Sequence, residues 1–163
     1  MKFSKQNAKG FSLIELLIVV AIILIIAAIA IPNLMRSKIA ANQASAVGSL
    51  RTIDTAEVTY ASTYNVGYSG TLADLGPVAS GSQPSTTTAD LIDSVLAGGN
   101  KSGYTFAYSA ATAVNSQVPS YQVTAAPQQQ GTTGQNGYYT DQTNVIRYDT
   151  SGSATGASTP IGG

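Results

Sequence analysis

Glu15 is the residue whose position most needs a chemical reason. It stands at the entrance of an apolar run in which Leu16 to Ile31 are sixteen consecutive apolar residues. On insertion scales a carboxylate costs on the order of 2–3 kcal/mol at the centre of a membrane-spanning helix, and less near an interface. Two kinds of chemistry would hold it there. Ser12-Leu13-Ile14-Glu15 fits the S-x-x-E capping box, which satisfies free N–H groups at a helix start, and Glu15 sits at the positive end of that helix dipole. The other is an ion pair. The apolar run contains no cation, but a cut after Gly10 would create one, the α-amino group of Phe11. Residues 11 and 15 share a helix face, so the pair can close within one chain. Between neighbouring chains it would neutralise both groups and fix their axial register.

The other residue types exclude most catalytic chemistry. The 163 residues include no His, Cys or Trp. That removes disulfides, thiolate metal sites, Cys nucleophiles and His-based triads together. Asp90 and Asp93 could face one way on a helical turn, yet Lys101 and Arg147 are the only basic residues beyond Arg51. Nothing suggests acid–base or nucleophilic catalysis, and no enzyme is expected. Asp141 with Asn144 falls short of the six to eight oxygen ligands calcium takes, so both read as turn residues. No metal and no cofactor is expected. Ser85-Thr86-Thr87-Thr88 and Ser158-Thr159-Pro160 are either O-glycan acceptors or plain loops, and Asn100-Lys101-Ser102 matches N-x-S. Eight basic and eight acidic residues cancel, so no field draws nucleic acid. Charged residues are only 10% of the chain, against roughly 25% in soluble proteins. Such a surface repels its own copies little, which favours a self-associating or cell-surface protein. Nine Tyr and three Phe invite an electron-transfer path, but no aromatic lies between Phe11 and Tyr60. Strand packing accounts for them.

These residues must be positioned by two kinds of element. Phe11–Ile31, as a helix, spans about 31 Å, enough to cross a bilayer core of ~30 Å. Lys2, Lys5 and Lys9 precede it and should stay in the cytoplasm. A secretory signal peptide cut after Ala28-Ile29-Ala30 is the plainest competing reading, and a simple single-span anchor is another. The run exceeds the 7–15 residues of an ordinary signal core, and Glu15 serves no purpose in it. Beyond Pro32 the apolar pattern becomes one-sided: Met35, Ile39, Val47, Leu50, Ile53, Ala56, Tyr60 and Tyr64 recur at a 3–4 spacing. One helix from about Ser12 to Tyr64 is expected, near 80 Å long at 1.5 Å per residue. Asn65-Val66-Gly67 should end it, with Gly67 as a left-handed stop. After a Gly- and Pro-punctuated connector, a short helical turn is expected around Ala89–Ala97, capped by Thr88 or Asp90 and ended by Gly98-Gly99. Strand-like alternations follow at Tyr104–Tyr108, Tyr121–Ala125, Tyr138–Thr140 and Val145–Tyr148. They predict an antiparallel sheet of three or four strands packed on the amphipathic half of the helix, an α+β fold with a protruding hydrophobic half.

The N-terminus resembles a known family. Lys9-Gly10-Phe11-Ser12-Leu13-Ile14-Glu15, then Leu16-Leu17-Ile18-Val19-Val20-Ala21-Ile22-Ile23, then Ala27-Ala28-Ile29-Ala30-Ile31-Pro32-Asn33, closely resembles the class III signal sequence of bacterial type IV pilins. The resemblance covers roughly residues 9–40. It implies cleavage between Gly10 and Phe11 by a prepilin peptidase, N-methylation of Phe11, and a Glu15 carboxylate that meets the N-terminal amine of another subunit during assembly. It implies a helical homopolymer built by pilus assembly machinery, stored in the inner membrane as precursor and displayed as an extracellular filament. A type II secretion pseudopilin shares the same N-terminus and stays open. So does a secreted, non-filamentous binding domain released by signal peptidase near Ile31. Two departures matter. The family's usual Gly stands as Leu24, and Ser12 replaces a frequent Thr. With Leu24, any break in the helix should be short and close to Pro32, which removes a backbone N–H and crowds the carbonyl of Ala28. The family's C-terminal disulfide cannot form without Cys, so the sheet must rely on packing, neighbours or an ion. The expected organisation is a leader at 1–10, a hydrophobic helix at 11–32, an amphipathic half at 33–65, a globular head at 66–148 and a low-complexity tail at 149–163.

Overall fold

The computed structural model describes residues 11–162; the expected leader, residues 1–10, lies outside them. The element order is α1 (Leu13–Tyr64), a 3-10 turn (Leu72–Leu75), α2 (Ser94–Ala97), then β1 (Asn100–Lys101), β2 (Tyr104–Ala110), β3 (Tyr121–Pro127), β4 (Gly137–Asp141), β5 (Arg147–Asp149) and β6 (Thr159–Pro160). The fold is α+β. Its units divide after Ser37: one holds the apolar start of α1, the other everything from Lys38 onward.

In the first unit every side chain from Phe11 to Ile26 is exposed. A helix apolar all round and left uncovered has no partner among the described residues. Any break in the helix was expected close to Pro32; here α1 runs on through that position, with Pro32 inside it. Proline costs the Ala28 carbonyl its donor. One turn away, the Asn33 side-chain amide donates to the Ile29 carbonyl (3.1 Å) and Ser37 Oγ to the Asn33 carbonyl (3.0 Å). Side chains thus supplement the ladder around the proline, and Leu24 adds no flexible glycine upstream.

From Lys38 onward α1 is one-sided. Ala46, Ser49, Leu50, Ile53, Asp54, Ala56, Glu57 and Tyr60 are its buried residues, a 3–4 periodicity that makes one continuous stripe. Met35, expected on this face, is exposed. Leu50, Ile53, Tyr60, Tyr104, Phe106, Tyr121, Val123, Ala125 and Tyr138 share one core cluster. The strand residues in it alternate along β2 and β3, as a sheet with one covered face requires. The sheet is an antiparallel meander in the order β1-β2-β3-β4-β5-β6. β1 and β6 exceed the expected three or four strands. Each has two residues, too short for a period-2 pattern to show.

Asn65 ends α1 in a left-handed conformation (φ 59°), taking the part expected of Gly67. Gly67 has a different need: at φ 78°, a Cβ there would strike the Val118 backbone. Val66 and Tyr68 exchange backbone hydrogen bonds with Val118 across that contact. α2 is shorter than expected because Asp90 is left-handed (φ 57°). The N–H groups of Ala89, Leu91 and Ile92 donate to Asp74 and Leu75 carbonyls instead of building a helix. A surface tail was expected at 149–163, yet its described residues, 149–162, help complete the sheet. β6 pairs with β5, Ala154 is buried, and Ile161 N–H donates to the Ile146 carbonyl at 2.8 Å. Short side chains let this segment lie close, since a Cβ on Gly137 would overlap Gly152. Strand pairing closes the C-terminal region without a disulfide.

Candidate functional site

Ser12 begins the helix: its carbonyl accepts from Leu16 N–H at 3.2 Å. Its own N–H donates to Glu15 Oε2 at 2.9 Å. That is one arm of the expected capping box, and it turns the carboxylate back toward residue 11. Phe11 is 75% exposed and Glu15 is exposed too. Among the described residues one ion pair forms, Lys101–Asp93 at 2.7 Å, so Glu15 has no cation there. The structure therefore places Glu15, Ser12 and Phe11 together at the tip of an exposed apolar helix. Gly10 lies outside the described residues, and Pro32 sits about five turns further along.

The sequence of this tip has relatives. Residues 5–31 match the family model described as the prokaryotic N-terminal methylation motif. That stretch is similar to the N-terminus of type IV pilins. The chain is 65% identical over 37 residues to the type IV wide pilus major component PilA4 of Thermus thermophilus, covering 23% of this chain and 28% of that protein. It is 46% identical over 59 residues to the type IV major pilin protein PilA of Myxococcus xanthus, covering 36% of this chain and 26% of that one. The matched stretch is thus little more than a quarter of each relative's length. No solved structure matches the chain. The pilin-type likeness rests on the N-terminal stretch; the sheet must be read from its own residues.

The other candidate positions are separate from this tip and from each other. Asp93 caps α2, accepting from Val95 and Leu96 N–H (3.1 and 3.0 Å) while pairing with Lys101. The Lys101 hydrogen bond, helped by these N–H groups, holds its carboxyl below the usual range. Asp90 lies in the preceding connector and forms no dyad with it. Asp141 is a turn residue: its Oδ1 accepts from Thr143 N–H (2.9 Å) and Oγ1 (2.6 Å), and Asn144 N–H donates to its carbonyl. Ser85 and Thr88 close a tight turn on each other, with hydroxyls 3.1 Å apart. The Asn100 side chain accepts from Thr105 and Gln128.

Two buried acids escaped the sequence reading. Glu57 is 0% exposed. Its Oε1 accepts from Ser69 Oγ (2.5 Å) and Tyr108 OH (2.6 Å), and its Oε2 from Ser69 N–H (2.9 Å). Asp54 accepts from Tyr121 OH (2.9 Å) and from Thr140 Oγ1 (3.0 Å). Burial pushes the Asp54 carboxyl up, against the hydrogen bonds of Tyr121 and Thr140 that pull it down. Burial, then the charges of Glu57 and Asp54, push the Tyr108 and Tyr121 phenols far up, so both stay protonated donors. The two rings stack with centroids 5.8 Å apart. These acids fasten α1 to the connector and to β2, β3 and β4. Their signal was legible: Asp54 and Glu57 are three apart, each next to a residue of the apolar stripe.

Proposed function

We propose that this chain is the structural subunit of a type IV pilus. The observation that carries the reading is a carboxylate with no cation among the described residues, at the tip of an exposed apolar helix that bears the methylation motif. A prepilin peptidase cuts between Gly10 and Phe11, and the new Phe11 amine is methylated. Cleavage removes three lysines from a chain of eight basic and eight acidic residues, leaving a net side-chain charge of −3. It also supplies the cation that Glu15 lacks.

The precursor is stored in the inner membrane, where Phe11–Ile31 lies in lipid and Glu15 stays near an interface. Leaving lipid for a filament exchanges helix–lipid for helix–helix contact. Lipid is as apolar as Leu, so the gain comes from packing and from the ion pair. The Glu15 carboxylate pairs with the Phe11 amine of a neighbouring copy, and this sets the axial stagger between helices. Once the filament is in water, about twenty apolar side chains at ~1.5–3 kcal/mol each oppose subunit loss. The partners are other copies of the chain, the peptidase and the assembly machinery; the product is an extracellular filament.

Three experiments test this. The mature chain should have the mass of a sequence starting at Phe11 plus one methyl group; a start near Ile31 would make it a signal-peptide-cleaved secreted domain. Glu15→Ala should be cleaved and inserted normally but polymerise poorly, and abundant normal filaments from it would show the pairing is dispensable. Electron microscopy of sheared cells separates long pili from a short secretion pseudopilus.

A further inference from the structure

The face of the sheet opposite Asp54 carries polar side chains with no part in that assembly. In the antiparallel register Ser109 lies beside Gln122, and Gln122 beside Asp141. These three share one side of the sheet, because Tyr121 and Thr140, their chain neighbours, point the other way into Asp54. Adjacent strands are about 4.8 Å apart, so the row repeats at about that interval. Tyr139 stands on the same side as Asp141 and directs its hydroxyl at Asp141 Oδ2 (3.3 Å) and Gln122 Oε1 (3.5 Å). With Ser120 and Gln142 these residues line an open recess of about 360 Å³, at the small end of the ~300–1,000 Å³ of small-molecule sites. Among the described residues, the Ser109 and Ser120 hydroxyls and the Gln142 amide form no side-chain hydrogen bond, and Gln122 has only its long contact to Tyr139.

The chemistry of the recess selects its ligand. An anion would meet the Asp141 carboxylate. A divalent ion would find one acid: no group of three metal-binding side chains exists among the described residues, and Asp141 Oδ1 already serves Thr143. An organic cation would share Asp141 with the positive charge of Arg147, which acts on the same carboxyl. A neutral ring carrying several hydroxyls suits what remains. Each hydroxyl both donates and accepts, so the planar Gln122 amide can span two adjacent ones while Asp141 Oδ2 accepts from one. We infer that this recess is a binding subsite for a neutral pyranose sugar, with Gln122 and Asp141 contacting adjacent ring hydroxyls and Ser109, Ser120, Tyr139 and Gln142 completing the rim. The inference does not depend on filament assembly.

The test is a titration of the ¹⁵N-labelled full chain in phosphocholine micelles, followed by amide shifts. The probes are the methyl pyranosides of glucose, galactose, mannose and N-acetylglucosamine, each alongside the oligosaccharide built from the same ring. At least one pyranoside should move the amides of residues 109–111, 120–122 and 139–142 at millimolar concentration. Asp141→Ala and Gln122→Ala should each raise its midpoint about tenfold, with amides elsewhere unmoved. Ser109→Ala, outside the Asp141 turn, should weaken binding even if Asp141→Ala disturbs that turn. A lower midpoint for the oligosaccharide assigns the ring to a chain, and an equal one to a single sugar; both support the subsite. The proposal fails if no saccharide moves these amides, or if only spermidine, calcium chloride or phosphate does.

Discussion

At the scale of single residues, three acids on one helix meet two different fates. Glu15 is exposed and, among the described residues, held only by the Ser12 N–H, so there it has room to take a new partner. Asp54 and Glu57 are buried and saturated with donors, so they are structural. Asp54 carries a pH signature. Its folded-state carboxyl is pushed above 3.8, chiefly by burial, so the folded chain holds that proton more tightly than the unfolded one. As pH falls from the raised value toward 3.8 this group adds stability; as pH rises through the raised value the gain is lost. Asp93, held below 3.8 chiefly by Lys101, acts in the opposite sense at lower pH. Asp54→Asn keeps an acceptor for Tyr121 and Thr140 and abolishes the titration. Its melting temperature should therefore vary less with pH than the parent's in the window just above 3.8, and an unchanged pH profile would contradict the assignment. At Leu50, 0% exposed, truncation to Ala should cost about 2–5 kcal/mol. Denaturant unfolding measures it, and a loss under about 1 kcal/mol would mean the stripe is not packed as described.

At the scale of elements, what was legible in the sequence follows pattern length. The long helix, the cluster of inward residues and the middle strands announce themselves by sustained periodicity. β1 and β6 have two residues each and owe their place to neighbours already formed. α2 begins late because backbone N–H groups before it find carbonyls at Asp74 and Leu75, a long-range choice no local propensity reveals. The C-terminal segment has the composition of a tail, yet β6 binds β5 through backbone groups that composition does not report. At the candidate site, Glu15 was legible because a charge in an apolar run is conspicuous. Asp54 and Glu57 were not singled out, because acids on an amphipathic helix ordinarily face water. The sugar-sized recess is a cross-strand row, visible only once the register is known. Any break was read as lying close to Pro32, and α1 runs on through it, since a single missing N–H is tolerated when the rest of a long helix continues. Asn33→Ala and Ser37→Ala together remove the side-chain bonds around it. Circular dichroism of the full chain in micelles should show a small loss of helix for that pair, and full retention would show those bonds are idle.

At the scale of the whole molecule, the two units want different surroundings. The unit from Lys38 onward has its own core. The stretch from Phe11 to Ile26 is exposed throughout. The full chain should thus stay monomeric only in detergent, whereas a chain beginning at Lys38 should stay monomeric in plain buffer at the same concentration. Light scattering decides between them, and a full chain that remains monomeric without detergent would show the apolar helix to be covered. With charged residues only 10% of the chain, little repulsion opposes lateral approach of copies.

The central claim is that Glu15 finds its counter-ion on another copy. The most direct measurement is a filament reconstruction at a resolution that shows side chains. The account predicts apolar helices gathered at the filament axis, with each Glu15 carboxylate at ion-pair distance from the methylated Phe11 nitrogen of a neighbouring subunit. Carboxylates lying far from every terminal nitrogen, or helices not gathered at the centre, would contradict it.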